Sequence, residues 1–136
     1  FCFFFFFFFF PLQAITGGQS LGSSPDARCQ IIALEDFVAY TVRAVANAAD
    51  GGAPAFAAGA HTACMNVCHP RVWTQRELAQ EISRRLQRGA PVFDVEAGGA
   101  VGSVYGSAAR MVAWFGVPAV DVDTLLTSVL APFQKH

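Results

Sequence analysis

The first strong hydrophobic pattern in the chain is a helical one that starts at Leu34. Glu35 and Asp36 stand at its beginning, where carboxylates favour the positive end of a helix dipole. Apolar residues then recur at helical spacing, namely Leu34, Phe37, Val38, Val42 and Val45. The pattern predicts a helix that runs to about Ala49 and stops at the glycine turn that follows it.

A second helix is predicted by a capping box at Thr74, in which Glu77 lies three residues further on. Its apolar face is formed by Leu78, Ala79, Ile82 and Leu86, and its basic face by Arg84, Arg85 and Arg88. Glu81 precedes Arg85 by four residues, which favours an exposed ion pair on a solvated face. An anion or partner site is the alternative for these arginines. Gly89 and Pro91 are expected to end the helix.

Two more helices are predicted near the end of the chain. Ser107 is expected to cap one that carries Met111 and Phe115 and closes at Gly116. Asp121 is expected to open the last helix, which Pro132 ends.

Short apolar runs between these helices are typical of buried strands. They are Cys29–Leu34, Cys64–Cys68 and Val92–Val95. The glycine-, serine- and proline-rich stretch 14–28 predicts a loop. The fold class expected is therefore α/β, mainly helical with short strands.

The first thirteen residues differ from the rest, because nine of the first ten are Phe. Ten residues are too few to span a bilayer, which takes roughly 20 on a helix. Phe codons are pyrimidine triplets, and the residues after the tract can be encoded by a sequence that ends in CAG, as a splice acceptor does. We interpret residues 1–13 as a non-native low-complexity segment, with a real apolar terminus or a signal remnant as the alternatives, and 14–136 as the folded part.

Composition then narrows the classes of function. The chain has 136 residues, 54% of them hydrophobic, with a net charge of −1, so it predicts a folded core and no basic surface for nucleic acid. Its four cysteines, without a convincing signal peptide, indicate reduced thiols inside the cell. We expect a cytoplasmic protein that contacts neither nucleic acid nor membrane.

The group His61, Cys64, Cys68 and His69 raises the question of a zinc site. On a strand, the two thiols would lie about 13 Å apart, whereas ligands of one zinc lie within about 4 Å of each other. The pattern therefore favours buried, inert cysteines and no metal.

A glycine-containing stretch, 97–102, follows a predicted strand and precedes a helix and a strand ending at Asp121, in the order of a dinucleotide site. Glu96 would lie beside the pyrophosphate, and too few residues follow Asp121 to complete a nucleotide-binding sheet. An ordinary loop and helix is the favoured interpretation. No catalytic set is found either, because there is no Tyr-x-x-x-Lys and no Gly-x-Ser-x-Gly turn.

Several segments match one family in order along the chain. Residues 31–37, with Asp36, are similar to its apolar strand and His-Val-x-Asp helix start, with Ala33 in place of the His. Residues 65–67 and 74–82 are similar to its Asn-Val-Gly strand and Thr-x-x-Glu-Leu helix, and 107–118 to its late helix ending in Pro. Taken together, residues 15–133 resemble the C-terminal portion of the NAD-dependent epimerase/dehydratase family, the extended short-chain dehydrogenases.

This resemblance implies a substrate-binding lobe of a Rossmann-type enzyme. The parent's N-terminal half would carry the NAD or NADP loop and the catalytic Tyr-x-x-x-Lys pair, so no catalytic, cofactor-binding or metal residue is expected in this chain. The substrate would be a small molecule, with nucleotide sugars as one class that the resemblance implies.

The resemblance implies two substrate-binding residues. Asn66 would lie near the nucleotide crevice. Arg28 stands one residue before the place where many family members have a phosphate-binding Arg. Cys29 occupies that place here. Asp36, Thr74 and Glu77 are expected to be structural. The alternative from another class is a non-enzymatic helical module that packs against a partner protein.

Overall fold

The computed structural model describes residues 11–49, 66–94, 103 and 105–134. Residues 11–17 are helical and are called α1 here. They are followed by strand β1 (Arg28–Cys29), helix α2 (Leu34–Ala49), strand β2 (Trp73–Thr74), helix α3 (Gln75–Arg85), helix α4 (Ala109–Phe115) and helix α5 (Val122–Leu130). A 3₁₀ turn, Ala131–Phe133, continues directly from α5. The described part is α-rich with a short sheet, as the coarse fold class predicted.

The sheet consists of β1 and β2, which are antiparallel and place Arg28 opposite Thr74 and Cys29 opposite Trp73. Leu21 and Phe93 add a single parallel bridge. Both strands are short because Thr74 is already the N-cap of α3, so the pairing partner turns helical after two residues.

Apolar side chains form two clusters on either side of the 29–33 segment. The larger one holds Ile31 and the inner faces of α3 and α5, together with Leu12 and Ile15 of α1. The smaller one holds Ile32, with Tyr40 of α2, Cys68 and Met111 of α4. The adjacent residues Ile31 and Ile32 thus enter different clusters, and the segment 29–33 lies between the two clusters.

The helices largely follow the sequence pattern. α2 ends at Ala49 as expected, and the capping box at Thr74 is present, with Leu78, Ala79 and Ile82 buried beneath it. Asp121 is the N-cap of α5, and its side chain accepts a hydrogen bond from the Thr124 amide.

Two helix boundaries differ from the prediction. α3 ends at Arg85, before Gly89, because Gln87 adopts a positive φ of 52° and the chain turns there. α4 begins at Ala109 with Ala108 as its N-cap; Ser107 is one residue too early, although its hydroxyl accepts a hydrogen bond from the Ala109 amide at 3.3 Å.

The predicted strands are shorter than expected. The run Cys29–Leu34 forms a strand only at Cys29, and Leu34 already belongs to α2. Residues 66–68 are not a strand, and within 92–94 only Phe93 makes a bridge. An apolar run shows that a segment is buried but not whether a neighbouring backbone is there to pair with it. Residues 64, 65 and 95 lie outside the described ranges.

The predicted loop 14–28 begins later than expected, because residues 14–17 are helical. Ala14 and Ile15 supply buried side chains, and Thr16 donates from its hydroxyl to the Leu12 carbonyl at 2.8 Å. Of the segment interpreted as non-native, Leu12 is 3% exposed and belongs to the larger core; residues 1–10 lie outside the described ranges. None of the helices in the described part of the chain has the length and apolar character that crossing a bilayer needs.

Candidate functional site

Arg28, the first candidate substrate residue, lies on β1 with an exposed side chain. Its backbone amide donates to the Ser103 hydroxyl at 2.9 Å. Its guanidinium carbon lies 5.6 Å from the centre of the Tyr105 ring, within the range of a cation–π contact. The charge is thus held against an aromatic face on the surface of the protein.

Asn66, the second candidate, meets the same part of the chain from the other side. Its Nδ2 donates to the Ser107 carbonyl at 3.4 Å. A Cβ added at Gly106 would lie only 2.5 Å from that Nδ2, so the absence of a side chain at Gly106 is what admits the amide. Arg28 and Asn66, 38 residues apart, therefore both contact the short stretch from Ser103 to Ser107.

Gln30 and Cys68 make hydrogen bonds to the backbone of this stretch. Gln30 donates from Nε2 to the His69 carbonyl at 2.9 Å and accepts from the Gly106 amide at Oε1, at 2.8 Å. The Cys68 thiol donates to the Gly106 carbonyl at 3.8 Å. We call the set of Arg28, Asn66, Tyr105 and Gly106, with Gln30 and Cys68, the 106 cluster.

Asp36 performs a structural task next to this cluster. It is 5% exposed, and its carboxylate accepts hydrogen bonds from the amides of Ala119 and Val120 at 2.9 and 3.0 Å. The start of α2 is thereby joined to the turn that leads into α5. Two amide donors satisfy a carboxylate that burial would otherwise penalise.

Thr74 and Glu77 are likewise structural. The Glu77 amide donates to the Thr74 hydroxyl at 3.1 Å, and the Thr74 amide donates to the Glu77 carboxylate at 2.8 Å. The hydrogen bond from the Thr74 amide is the main cause that holds the pKa of Glu77 below its ordinary value. The carboxylate therefore stays charged at the N-terminus of α3.

The chemistry of Cys68 and His69 does not favour a metal. Burial raises the pKa of the Cys68 thiol, which opposes the thiolate that zinc requires. The His69 Nδ1 already accepts from the Arg71 amide at 3.0 Å. Across the described ranges there is no group of three or more potential ligands, and His61 and Cys64 lie outside them.

Cys29 behaves in the same way, because burial, followed by the charge of Glu77, raises its pKa to about 11. A neutral thiol, 1% exposed, is not a nucleophile at physiological pH. Both described cysteines are buried, free thiols.

The N-termini of α3 and α5 do not fit the pyrophosphate of NAD or NADP. That group needs free backbone amides at a helix N-terminus. The N-terminus of α3 is filled by Thr74 and Glu77, and that of α5 by Asp121, so two carboxylates stand where the anion would lie. The alternative glycine stretch 97–102 falls outside the described ranges, and we derive no cofactor step from these residues.

The basic face of α3 differs in part from the prediction. Arg84 is 68% exposed and pairs with Glu81 at 2.6 Å, as a solvated face should. Arg85, in contrast, is only 11% exposed: it pairs with Glu81 at 2.7 Å, and also with Asp123 of α5. Arg85 therefore joins two helices, because its long side chain reaches a neighbour that a single-helix pattern does not contain.

A cleft of about 330 Å³ lies between α3 and α5, and it is separate from the 106 cluster. Trp73 and the Arg71 guanidinium, which is 3.6 Å from the ring centre, form part of its wall. Arg84 and Arg85, which line the cleft, are paired with Glu81 and Asp123, and this opposes the alternative of an anion site at these two arginines.

Sequence reasoning missed Gln30, Ser103, Tyr105 and Gly106 as members of the site. Gln30 was hidden in an apolar run, and nothing in the pattern around Tyr105 predicts that it faces Arg28. The signal was the polar residue itself, since a Gln at the edge of a buried run needs hydrogen-bond partners.

Comparison with protein-family models, with curated proteins and with solved structures gives no match for this chain.

Proposed function

We propose that this chain is the substrate-binding part of an NAD(P)-dependent epimerase, dehydratase or reductase-like enzyme. The observation that carries the proposal is the convergence of Arg28 and Asn66 on the stretch from Ser103 to Ser107. The resemblance points to these two residues on sequence grounds alone, and they lie on segments far apart in sequence. A shared point of contact is what a common substrate site requires.

The chemistry of the 106 cluster suits a polar small molecule. Arg28 supplies a fixed positive charge with several donors, which can meet a phosphate or a carboxylate. Asn66 supplies an exposed amide for hydroxyl or carbonyl groups. Tyr105, 52% exposed, adds an aromatic face on which a sugar or a base can stack. A nucleotide sugar is one substrate class that combines all three features.

The cofactor and the catalytic pair belong, in this proposal, to an N-terminal Rossmann half. NAD or NADP would bind there, in line with the occupied helix N-termini of α3 and α5. This chain alone is then incomplete and inactive. Its role is to bind and orient the substrate beside that half.

A second candidate, a non-enzymatic interaction module, is favoured by one observation on α2. Four apolar side chains form an exposed stripe along this helix: Leu34 (63%), Val38 (47%), Val42 (61%) and Val45 (65%). An apolar helix face of this kind is a common docking surface for a partner protein. In the enzyme proposal, the same stripe is covered by the Rossmann half.

The transcript and the genomic sequence upstream of the Phe tract discriminate the two candidates. The enzyme proposal expects a strand, a Gly-x-x-Gly-x-x-Gly type turn and a Tyr-x-x-x-Lys in the upstream reading frame. A mature message that encodes neither motif contradicts it and favours the interaction module.

A further inference from the structure

The backbone of Gly106 is held by side chains, not by strand pairing. Its amide donates to Gln30 Oε1 at 2.8 Å, and its carbonyl accepts from the Cys68 thiol at 3.8 Å. Among the described elements, residues 105–107 belong to no helix or strand. Their position therefore depends on the residues that bond to Gly106.

Gln30 makes the stronger of these two attachments and has a second anchor. Its Nε2 donates to the His69 carbonyl at 2.9 Å, so one amide group joins the segments around residues 30, 69 and 106. Each hydrogen bond uses the end of the amide that its chemistry requires: the oxygen accepts and the nitrogen donates. Gln30 is half-buried, and competition from water is reduced accordingly.

What Gln30 fixes is the surface on which the candidate substrate residues meet. Tyr105, adjacent to Gly106, faces Arg28, and Asn66 lies directly against the Gly106 Cα. If Gly106 moved by about 1 Å, its backbone would clash with the Asn66 amide, or its neighbour Tyr105 would lose the contact with Arg28. Arg28 and Asn66 attach this segment elsewhere: the Arg28 amide donates to the Ser103 hydroxyl at 2.9 Å, and Asn66 makes a long 3.4 Å contact with the Ser107 carbonyl. Neither residue donates to or accepts from the Gly106 backbone in the contacts described.

We infer that Gln30 is the positioning residue of the substrate surface: its side-chain amide sets the placement of Tyr105 and Gly106 against Arg28 and Asn66. That this surface binds substrate rests on the proposed function, whereas the positioning of Tyr105 and Gly106 depends only on the contacts described. Gln30 acts through Gly106.

Hydrogen exchange of the complete chain, read by mass spectrometry with single-residue fragmentation at micromolar concentration, tests the inference. In the unaltered chain, the Gly106 amide is expected to be protected although it lies outside regular structure. Gln30→Met removes both hydrogen bonds at similar volume and is expected to speed exchange at Gly106 at least tenfold. Gln80→Met, at an exposed position of α3, is the matched control and is expected to leave Gly106 unchanged.

Gln30→Glu separates positioning from a general role in stability. Its carboxylate can still accept from the Gly106 amide but cannot donate to the His69 carbonyl, so protection at Gly106 is expected to persist. The Gln75 amide, which donates to the Ala27 carbonyl at 2.8 Å, reports on the sheet and α3 and is expected to exchange normally in each variant.

Three results would overturn the inference. They are a Gly106 amide that exchanges at the free-peptide rate in the unaltered chain, a Gln30→Met chain that keeps protection there, and a Gln30→Glu chain that loses it. If Gln30→Met unfolds, the unaltered chain and Gln30→Glu still decide the matter. The experiment contains no substrate, so its outcome is independent of the transcript that tests the proposed function.

Discussion

The buried carboxylate of Asp36 accepts a hydrogen bond from the backbone amide of Val120, 84 residues later in the chain, at 3.0 Å. The neighbouring Ala119 amide donates to the other oxygen at 2.9 Å. A single side chain at the start of α2 thus fixes the turn that precedes α5.

Replacing Asp36 with Asn should destabilise the fold. The Asn side chain keeps one acceptor and turns a donor toward the second amide, so one charge-assisted hydrogen bond is lost and an amide is left unpaired. We expect the free energy of unfolding in urea to fall by about 2 kcal/mol. Glu35→Gln, an exposed change in the same helical turn, should change it by less than about 0.5 kcal/mol. Equal stability of the two variants would contradict the Asp36 contact.

Thr74→Ala removes the hydroxyl that accepts from the Glu77 amide at the start of α3. The loss of a helix cap typically costs about 1 kcal/mol, and we expect a corresponding fall in the melting temperature. Thr74→Ser retains the hydroxyl and serves as the control, with most of the stability preserved. An alanine variant that melts with the unaltered chain would show that this cap contributes nothing.

The sequence predicted the helices better than the strands, for a physical reason. Helix starts such as Thr74 and Asp121 are local, since the cap and the amide it binds lie within three residues of each other. A strand needs a partner elsewhere, and Ile31 and Ile32 have burial without one, because each enters a different core.

The candidate site shows the same division. Arg28 and Asn66 could be selected as individual residues, by resemblance. Their approach to Tyr105 and Gly106 could not, because it depends on contacts across 40 to 77 positions. Gln30 is the extreme case: it bonds to Gly106, which is 76 residues away. No periodicity within one element contains such a relationship.

Acid should weaken the ion pairs that Glu81 makes with Arg84 and Arg85 within α3. Hydrogen bonds from Arg84, followed by those from Arg85, lower the pKa of Glu81 from an ordinary 4.5 to about 2. A carboxylate with a lowered folded-state pKa contributes its stability fully above 4.5, and the contribution is lost as the pH falls toward 2. In urea titrations across this range, we expect Glu81→Gln to be less stable by roughly 1 kcal/mol at pH 6 and to match the unaltered chain near pH 2.

The control for this pH dependence is Gln80→Met, an exposed and uncharged change next to Glu81 on α3. It should leave the difference between pH 6 and pH 2 as it is in the unaltered chain. A Glu81→Gln chain with an unaltered pH profile would mean that these ion pairs add no stability.

The exposed apolar stripe of α2 should make residues 14–136, expressed alone, aggregate or bind a hydrophobic dye. The net charge of the whole chain is only −1, so little repulsion opposes association. We expect the fluorescence of bound anilinonaphthalene sulfonate to fall when Val42 and Val45 are both changed to Lys. The control changes Ala39 and Ala46, which are exposed on α2 outside the stripe, to Lys. Its dye fluorescence should stay above that of the variant with Lys at positions 42 and 45. A dye-silent, cooperatively melting monomer would contradict both the exposed stripe and the need of this chain for a covering half.

Titration with NAD and NADP tests the central claim most directly, when it is made on the chain alone and on the chain joined to the N-terminal half that the proposal expects upstream. We predict no saturable binding to the chain alone, because the N-termini of α3 and α5 are occupied by Glu77 and Asp121. The joined protein should bind one of the two cofactors saturably and become soluble. Micromolar binding by the chain alone, or a soluble joined protein that binds neither cofactor, would contradict the account.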